Sequence, residues 1–125
     1  MKTIIKTNQA PNPVGPYNQA VMVNNMLFVS GQIPANPSTG ELVKESIEAE
    51  ARQVMENIKA ILNEAGLNFS NIVKTSIFIT DMKNFSTVNG VYAEYFSSDF
   101  PARETIQVGG LPLGVNVEIS CIAIK

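Results

Sequence analysis

The chain has 125 residues, with 45% hydrophobic and 16% charged residues and a formal net charge of −2. That is the length of one domain, large enough to bury its own core without a metal or disulfide staple. The absence of histidine excludes Ser-His-Asp and Cys-His catalysis and His-ligated metals within one chain, and a single cysteine excludes an intrachain disulfide or a multi-cysteine cluster. The nine basic residues, only two of them arginines (Arg52 and Arg103), leave no basic footprint for nucleic acid. No apolar run approaches ~18 residues, so no membrane span is expected. The segment Met1–Lys6 lacks the apolar core and cleavage site of a signal peptide. The lone Cys121 accords with a reducing cytoplasm.

In chain order, Thr3–Lys6 reads as a short edge strand. Pro11, Pro13, Gly15 and Pro16 forbid regular structure and mark an ordered loop from Asn8 to Pro16. Ala20–Val23 and Met26–Ser30 are β-rich and separated by Asn24-Asn25, a pair that tolerates positive φ and predicts a tight hairpin. Pro34–Gly40 is a loop. Over Ser46–Ala65 the residues Ile47, Ala51, Val54, Ile58, Ile61, Leu62 and Ala65 share one helical face. Ser46 is the expected N-cap, Glu48 and Glu50 favour the positive helix end, and Gly66 suits the stop. Ile72–Thr80 is β-branched and reads as a strand, and Phe85–Phe96 reads as a second helix that carries Gly90 at some cost. Thr105–Val108 and Val115–Ile124 are the last two strands.

Strands joined by helices, plus one hairpin, give an α+β domain with a single mixed sheet and both helices on one face. In the last strand Val117, Ile119, Cys121 and Ala123 share one face, and Glu118, Ser120, Ile122 and Ile124 the other. Both faces are largely apolar. The face turned from the helices has no intrachain cover, so a homo-oligomer is expected to supply one.

Few residues can carry chemistry. Arg103, fixed behind Pro101-Ala102, can hold a carboxylate or phosphate through paired hydrogen bonds, or simply pair with a nearby acid. Glu118, inside an apolar strand, is either a general base that orients water or a structural ion-pair residue. Gly31 after Ser30 lets a ligand or backbone approach closely, or forms a strand-end turn. Tyr17, in the proline-rich loop, is a core plug or a pocket wall. Cys121 has nothing basic beside it to activate its thiol, and Gly109-Gly110 lacks the spacing of a phosphate loop.

Five segments in register carry a resemblance that spans essentially the whole chain: Gly15–Ala20, Phe28–Pro34, Val88–Tyr92 with Tyr95-Phe96, Pro101–Arg103 and Val117–Ile119. Together they resemble the Rid family, YjgF-type reactive intermediate deaminases, and within it the RidA branch. The resemblance implies one RidA-like domain over residues 1–125, with a chorismate-mutase-like fold. It implies a homotrimer that closes a barrel, with pockets between subunits. It further implies hydrolysis of 2-enamine and 2-imine acids such as 2-aminoacrylate and 2-iminobutanoate to 2-oxo acids and ammonia, with no cofactor and no metal. By position, Arg103 matches the carboxylate clamp and Glu118 the acid that positions water. Tyr17, Ser30, Gly31 and Asn89 match pocket positions, and Thr105 stands where the family often has Cys and where the backbone carbonyl contributes. Glu104, where a small residue is common, and Gly109-Gly110, where Ala-Arg is common, depart from the pattern and bear on substrate range. The competing readings are a non-enzymatic trimer that binds small carboxylates, a Rid protein without deaminase activity, and a ribonuclease. A ribonuclease is opposed by the lack of histidine and of a basic stripe.

Overall fold

In the computed structural model, which describes residues 1–125, the tight turn sits where the asparagines require it. Asn24 and Asn25 have φ of 48° and 67° and join strand β2 (Ala20–Val23) to β3 (Met26–Gln32). A short edge strand β1 (Thr3–Ile5) pairs antiparallel with β2. Helix α1 (Ile47–Glu64) starts at Ser46, whose hydroxyl accepts from the Ala49 amide at 3.0 Å, and stops before Gly66 at φ 77°. Such an N-cap is worth ~1 kcal/mol.

Strand β4 (Ile72–Ile79), helix α2 (Phe85–Ala93), strand β5 (Ala102–Gln107) and strand β6 (Val117–Ile124) complete the domain. The six strands lie in the order β1-β2-β3-β6-β4-β5, and only the β4–β5 pair is parallel. The parallel pair is bridged by α2, as a crossover must be. The fold is thus the expected α+β domain with one mixed sheet.

Several boundaries differ from the sequence reading, among them the end of β3 at Gln32 instead of Ser30, and three have a local cause. Helix α2 ends at Ala93, three residues early, because Tyr95 and Phe96 donate to carbonyls only three residues back, at Tyr92 and Ala93. Their rings still pack inward, Tyr95 on Phe69 at 5.1 Å and Phe96 on Tyr92 at 4.8 Å. Strand β5 begins at Ala102, not Thr105, since the ladder to β4 opens at the first residue after Pro101. Strand β6 begins at Val117, not Val115, because the Asn116 amide donates to Glu50 instead of across to Thr80, which leaves the Thr80 amide on the Asn116 carbonyl as the last bond in register.

The core lies between the sheet and the helices. Val54, Ile58, Ile61 and Leu62 of α1 and Val88, Val91 and Tyr92 of α2 meet Ile77, Val117, Ile119, Cys121 and Ala123. Burying each larger aliphatic side chain stabilises the fold by ~1.5–3 kcal/mol. The opposite face of the sheet carries no helix. Phe28, Ile106 and Ile124 remain exposed there, at 38%, 46% and 40%. That is the unpartnered apolar face expected from the alternation in β6.

Candidate functional site

Arg103 stands near the start of β5, opposite Thr75 of β4, and this register turns it to the helix-bearing face. Its guanidinium carbon lies 5.0 Å from the Tyr92 ring centre and 5.6 Å from that of Phe85. The chain's three ion pairs involve Arg52 and Lys74, and none involves Arg103. The guanidinium is therefore held by two aromatic faces and keeps its hydrogen-bond donors for a ligand. Tyr92 in turn is fixed by a 2.9 Å hydrogen bond to the Thr75 hydroxyl. Burial pushes its phenol above the ordinary value, so it stays neutral beside the arginine. Asn89, Tyr92, Ala93, Phe100, Pro101 and Arg103 surround a cleft of 290 Å³. Thr105, two residues on and on the same side of β5, has a buried hydroxyl with no hydrogen-bond partner.

Glu118 sits elsewhere. It is opposite Phe78 of β4 and points to the helix-free face. Burial alone raises its carboxyl above the usual carboxylate value. It lies directly over Gly31: a Cβ at position 31 would stand 2.8 Å from Glu118 Cδ and 3.1 Å from its Cγ. Gly31 is thus required by the close approach of this side chain. Ser30, beside it, donates its hydroxyl to the Asn18 carbonyl at 2.6 Å, which leaves the oxygen free to accept. Tyr17 is half exposed, and its hydroxyl accepts from the Val14 amide at 3.3 Å. Tyr17 and Gly31 share a 230 Å³ cleft with the proline-rich loop, Gln32 and Leu113.

The site residues therefore form two groups on opposite faces of one sheet. Arg103, Asn89 and Thr105 are on the helix side, whereas Glu118, Gly31, Ser30 and Tyr17 gather at the other. A small molecule held by Arg103 cannot reach Glu118 of the same chain.

Glu104 has a local explanation. It faces the helix-free side, accepts from the Ser76 hydroxyl and pairs with Lys74 at 3.0 Å. The Ser76 bond first, and Lys74 second, hold its carboxyl below the ordinary value. Gly109 and Gly110 stand in open space.

Residues 7–125 match the family model described as Endoribonuclease L-PSP. The chain is 51% identical to a Rid-family protein of Yersinia pestis whose crystal structure superposes with a TM-score of 0.98, each chain covered in full. The chain belongs to the Rid family. This Rid-family chain is 44% identical to human 2-iminobutanoate/2-iminopropanoate deaminase, over 100% of its own length and 91% of the relative's. It also superposes on Escherichia coli TdcF with bound serine at a TM-score of 0.94 and 43% identity, covering 98% of each chain.

Three supporting residues escaped the sequence reading. Tyr92 appeared only within the Val88–Tyr92 segment of the resemblance, yet it stacks on Arg103. Gln19 is buried and ties the loop before Tyr17 together, with its amide bonded to Thr7, Ala10 and Pro11. Glu50 was read as a charge favouring the helix end but is 1% exposed. Its signal was present: Glu50 falls on the same helical stripe as Ile47, Val54 and Ile58.

Proposed function

We propose that this protein is an enamine/imine deaminase. It hydrolyses reactive 2-imino acids such as 2-iminobutanoate, and 2-aminoacrylate after its tautomerisation, to 2-oxo acids and ammonia. The observation that carries the reading is Arg103: a cation with no acidic partner in the chain, stacked on two aromatic rings at a cleft. Such a group binds a small carboxylate in two-point fashion.

The pocket is completed by a second copy. The opposed placement of Arg103 and Glu118 and the apolar helix-free face both support a homotrimer with its sites between subunits. Arg103 of one subunit clamps the carboxylate, with Asn89 and the β5 backbone at Thr105 beside it. Glu118 of a neighbour, flanked by Gly31, Ser30 and Tyr17, holds the water. Serine bound to TdcF and the name of the human relative agree with an amino-acid-like carboxylate as ligand.

The chemistry needs no histidine. A protonated imine carbon is already electrophilic, so orientation and water placement provide most of the catalysis. Water oxygen bonds to C2, the C=N electron pair moves to nitrogen, and the water proton passes to Glu118. Glu118 then returns that proton to the amine. The C–N bond breaks and ammonia leaves, and the C2 hydroxyl gives its remaining proton to Glu118 as its oxygen becomes the carbonyl; that proton departs with ammonia as ammonium. A carboxyl raised by burial is a better base for this step than an ordinary one.

A non-enzymatic carboxylate-binding trimer would need only the Arg103 half of the site. The glycine that admits Glu118 to the other half favours the enzyme. The test is a coupled assay with a threonine dehydratase, following 2-iminobutanoate decay. Acceleration above the spontaneous rate is expected, and binding of 2-oxobutanoate without acceleration would contradict the proposal.

A further inference from the structure

We infer that Glu50 is a positioning residue: through Asn116 it fixes the start of β6 and so aims Glu118. The inference rests on the role proposed above for Glu118. Glu50 lies in the first turns of α1 and is buried, without a cationic partner. An isolated buried carboxylate is costly unless hydrogen bonds satisfy it. Here both oxygens are used on one residue: Oε1 accepts from the Asn116 amide at 2.8 Å and Oε2 from Asn116 Nδ2 at 2.7 Å. Asn116 is also locked from the other side. Its Oδ1 accepts from the Thr80 hydroxyl at 2.9 Å and its carbonyl from the Thr80 amide at 3.2 Å.

Four hydrogen bonds thus hold one residue at the junction of α1, the end of β4 and the first residue before β6. Glu118 follows two positions later. Bonds to a charged group are the stronger kind, and a two-point bond fixes direction as well as distance. A simple hydrophobic contact at position 50 would anchor α1 equally well but could not set the orientation of the Asn116 peptide. The Glu118 side chain takes part in none of the chain's ion pairs and makes no hydrogen bond, so its place depends on the strand that carries it and on the glycine beneath it. The other charged groups on its face of the sheet are Lys2, Lys74 and Glu104, and the last two pair with each other.

Glu50→Gln tests this with little change in shape. Glutamine offers one acceptor where the carboxylate offers two, so either the backbone or the side-chain bond of Asn116 is lost or Asn116 must turn over. Two readouts separate positioning from mere stability. In the coupled assay kcat is expected to fall about tenfold with KM for the imine little changed, because Arg103 is on another strand. In carbon-13 NMR of the glutamate carboxyls, the Glu118 resonance and its titration are expected to move. Asn116→Ala, which keeps the backbone bond, should shift the same signals. A lowered Tm with kcat and the Glu118 titration unchanged would overturn the inference. If the unsubstituted protein shows no imine hydrolysis, the deaminase proposal fails, while the Glu118 titration still decides whether Glu50 positions it.

Discussion

Replacing Gly31 with alanine should disable the site without unfolding the protein. The backbone at Gly31 is not in the left-handed region, so alanine is conformationally allowed. Its methyl would clash first with Glu118 Oε2 and stand 2.8 Å from Cδ, whereas ordinary carbon contacts begin near ~3.5 Å, so the carboxyl group must retreat by about 1 Å. The obstacle is the end of a flexible side chain with no hydrogen bonds of its own, so it can swing away cheaply. Gly→Ala also restricts the unfolded chain, which favours folding by ~0.4–1 kcal/mol. The net change in stability is expected to stay within about 1 kcal/mol. Catalysis is more sensitive: a displacement approaching 1 Å of a positioned group costs about a hundredfold, or ~2.7 kcal/mol in the barrier. Steady-state kinetics in the dehydratase-coupled assay should show that loss mainly in kcat, and thermal melts should show an unchanged transition. Wild-type turnover in folded Gly31→Ala would mean that Glu118 does not act where it stands.

Arg103→Ala should abolish imine hydrolysis and 2-oxobutanoate binding by calorimetry, with Arg103→Lys recovering little, because a point charge replaces neither the two-point geometry nor the stacking on Tyr92 and Phe85. Glu118→Gln should lower single-turnover rate more than product affinity; equal losses in both would make Glu118 a structural acid. The same variant tests linkage. Burial raises the folded pKa of Glu118, so its contribution to stability is full below the unfolded value and is lost as pH rises through the folded one. The neutral glutamine should therefore raise Tm near pH 7 and leave it unchanged near pH 4, as read by calorimetry. Light scattering at micromolar concentration should give about three times 13.6 kDa, and a 13.6 kDa particle would remove the intersubunit site.

What the sequence made legible was mostly local. The Asn24-Asn25 turn, the Ser46 cap and the Gly66 stop each rest on the chemistry of one or two residues, and all three stand where they were expected. The alternation in β6 also announced an uncovered face. Features set by strand pairing were not legible. Nothing near Arg103 or Glu118 in the chain says that they lie on opposite faces, since that follows from the registers of Thr75 with Arg103 and of Phe78 with Glu118. The contact of Gly31 with Glu118 crosses from β3 to β6 and has the same origin. Helix α2 was over-read because Tyr95 and Phe96 keep helical spacing and pack inward after the regular bonding pattern has ended. Glu50 was under-read because a first-turn glutamate usually faces water; its place on the apolar stripe of α1 hinted at burial, but its partner Asn116 is 66 residues away.

The two halves of the site can be separated and recombined. Arg103→Ala and Glu118→Gln subunits, each inactive alone, can be unfolded together in equal amounts and refolded into mixed assemblies. In a cyclic trimer every mixed assembly contains one interface with an intact Arg103 facing an intact Glu118. Random mixing then restores about a quarter of the wild-type sites. Recovery of activity near that level is the expected result. If the mixed trimers form and remain inactive, Arg103 and Glu118 do not meet across a subunit boundary, and the composite deaminase site is wrong.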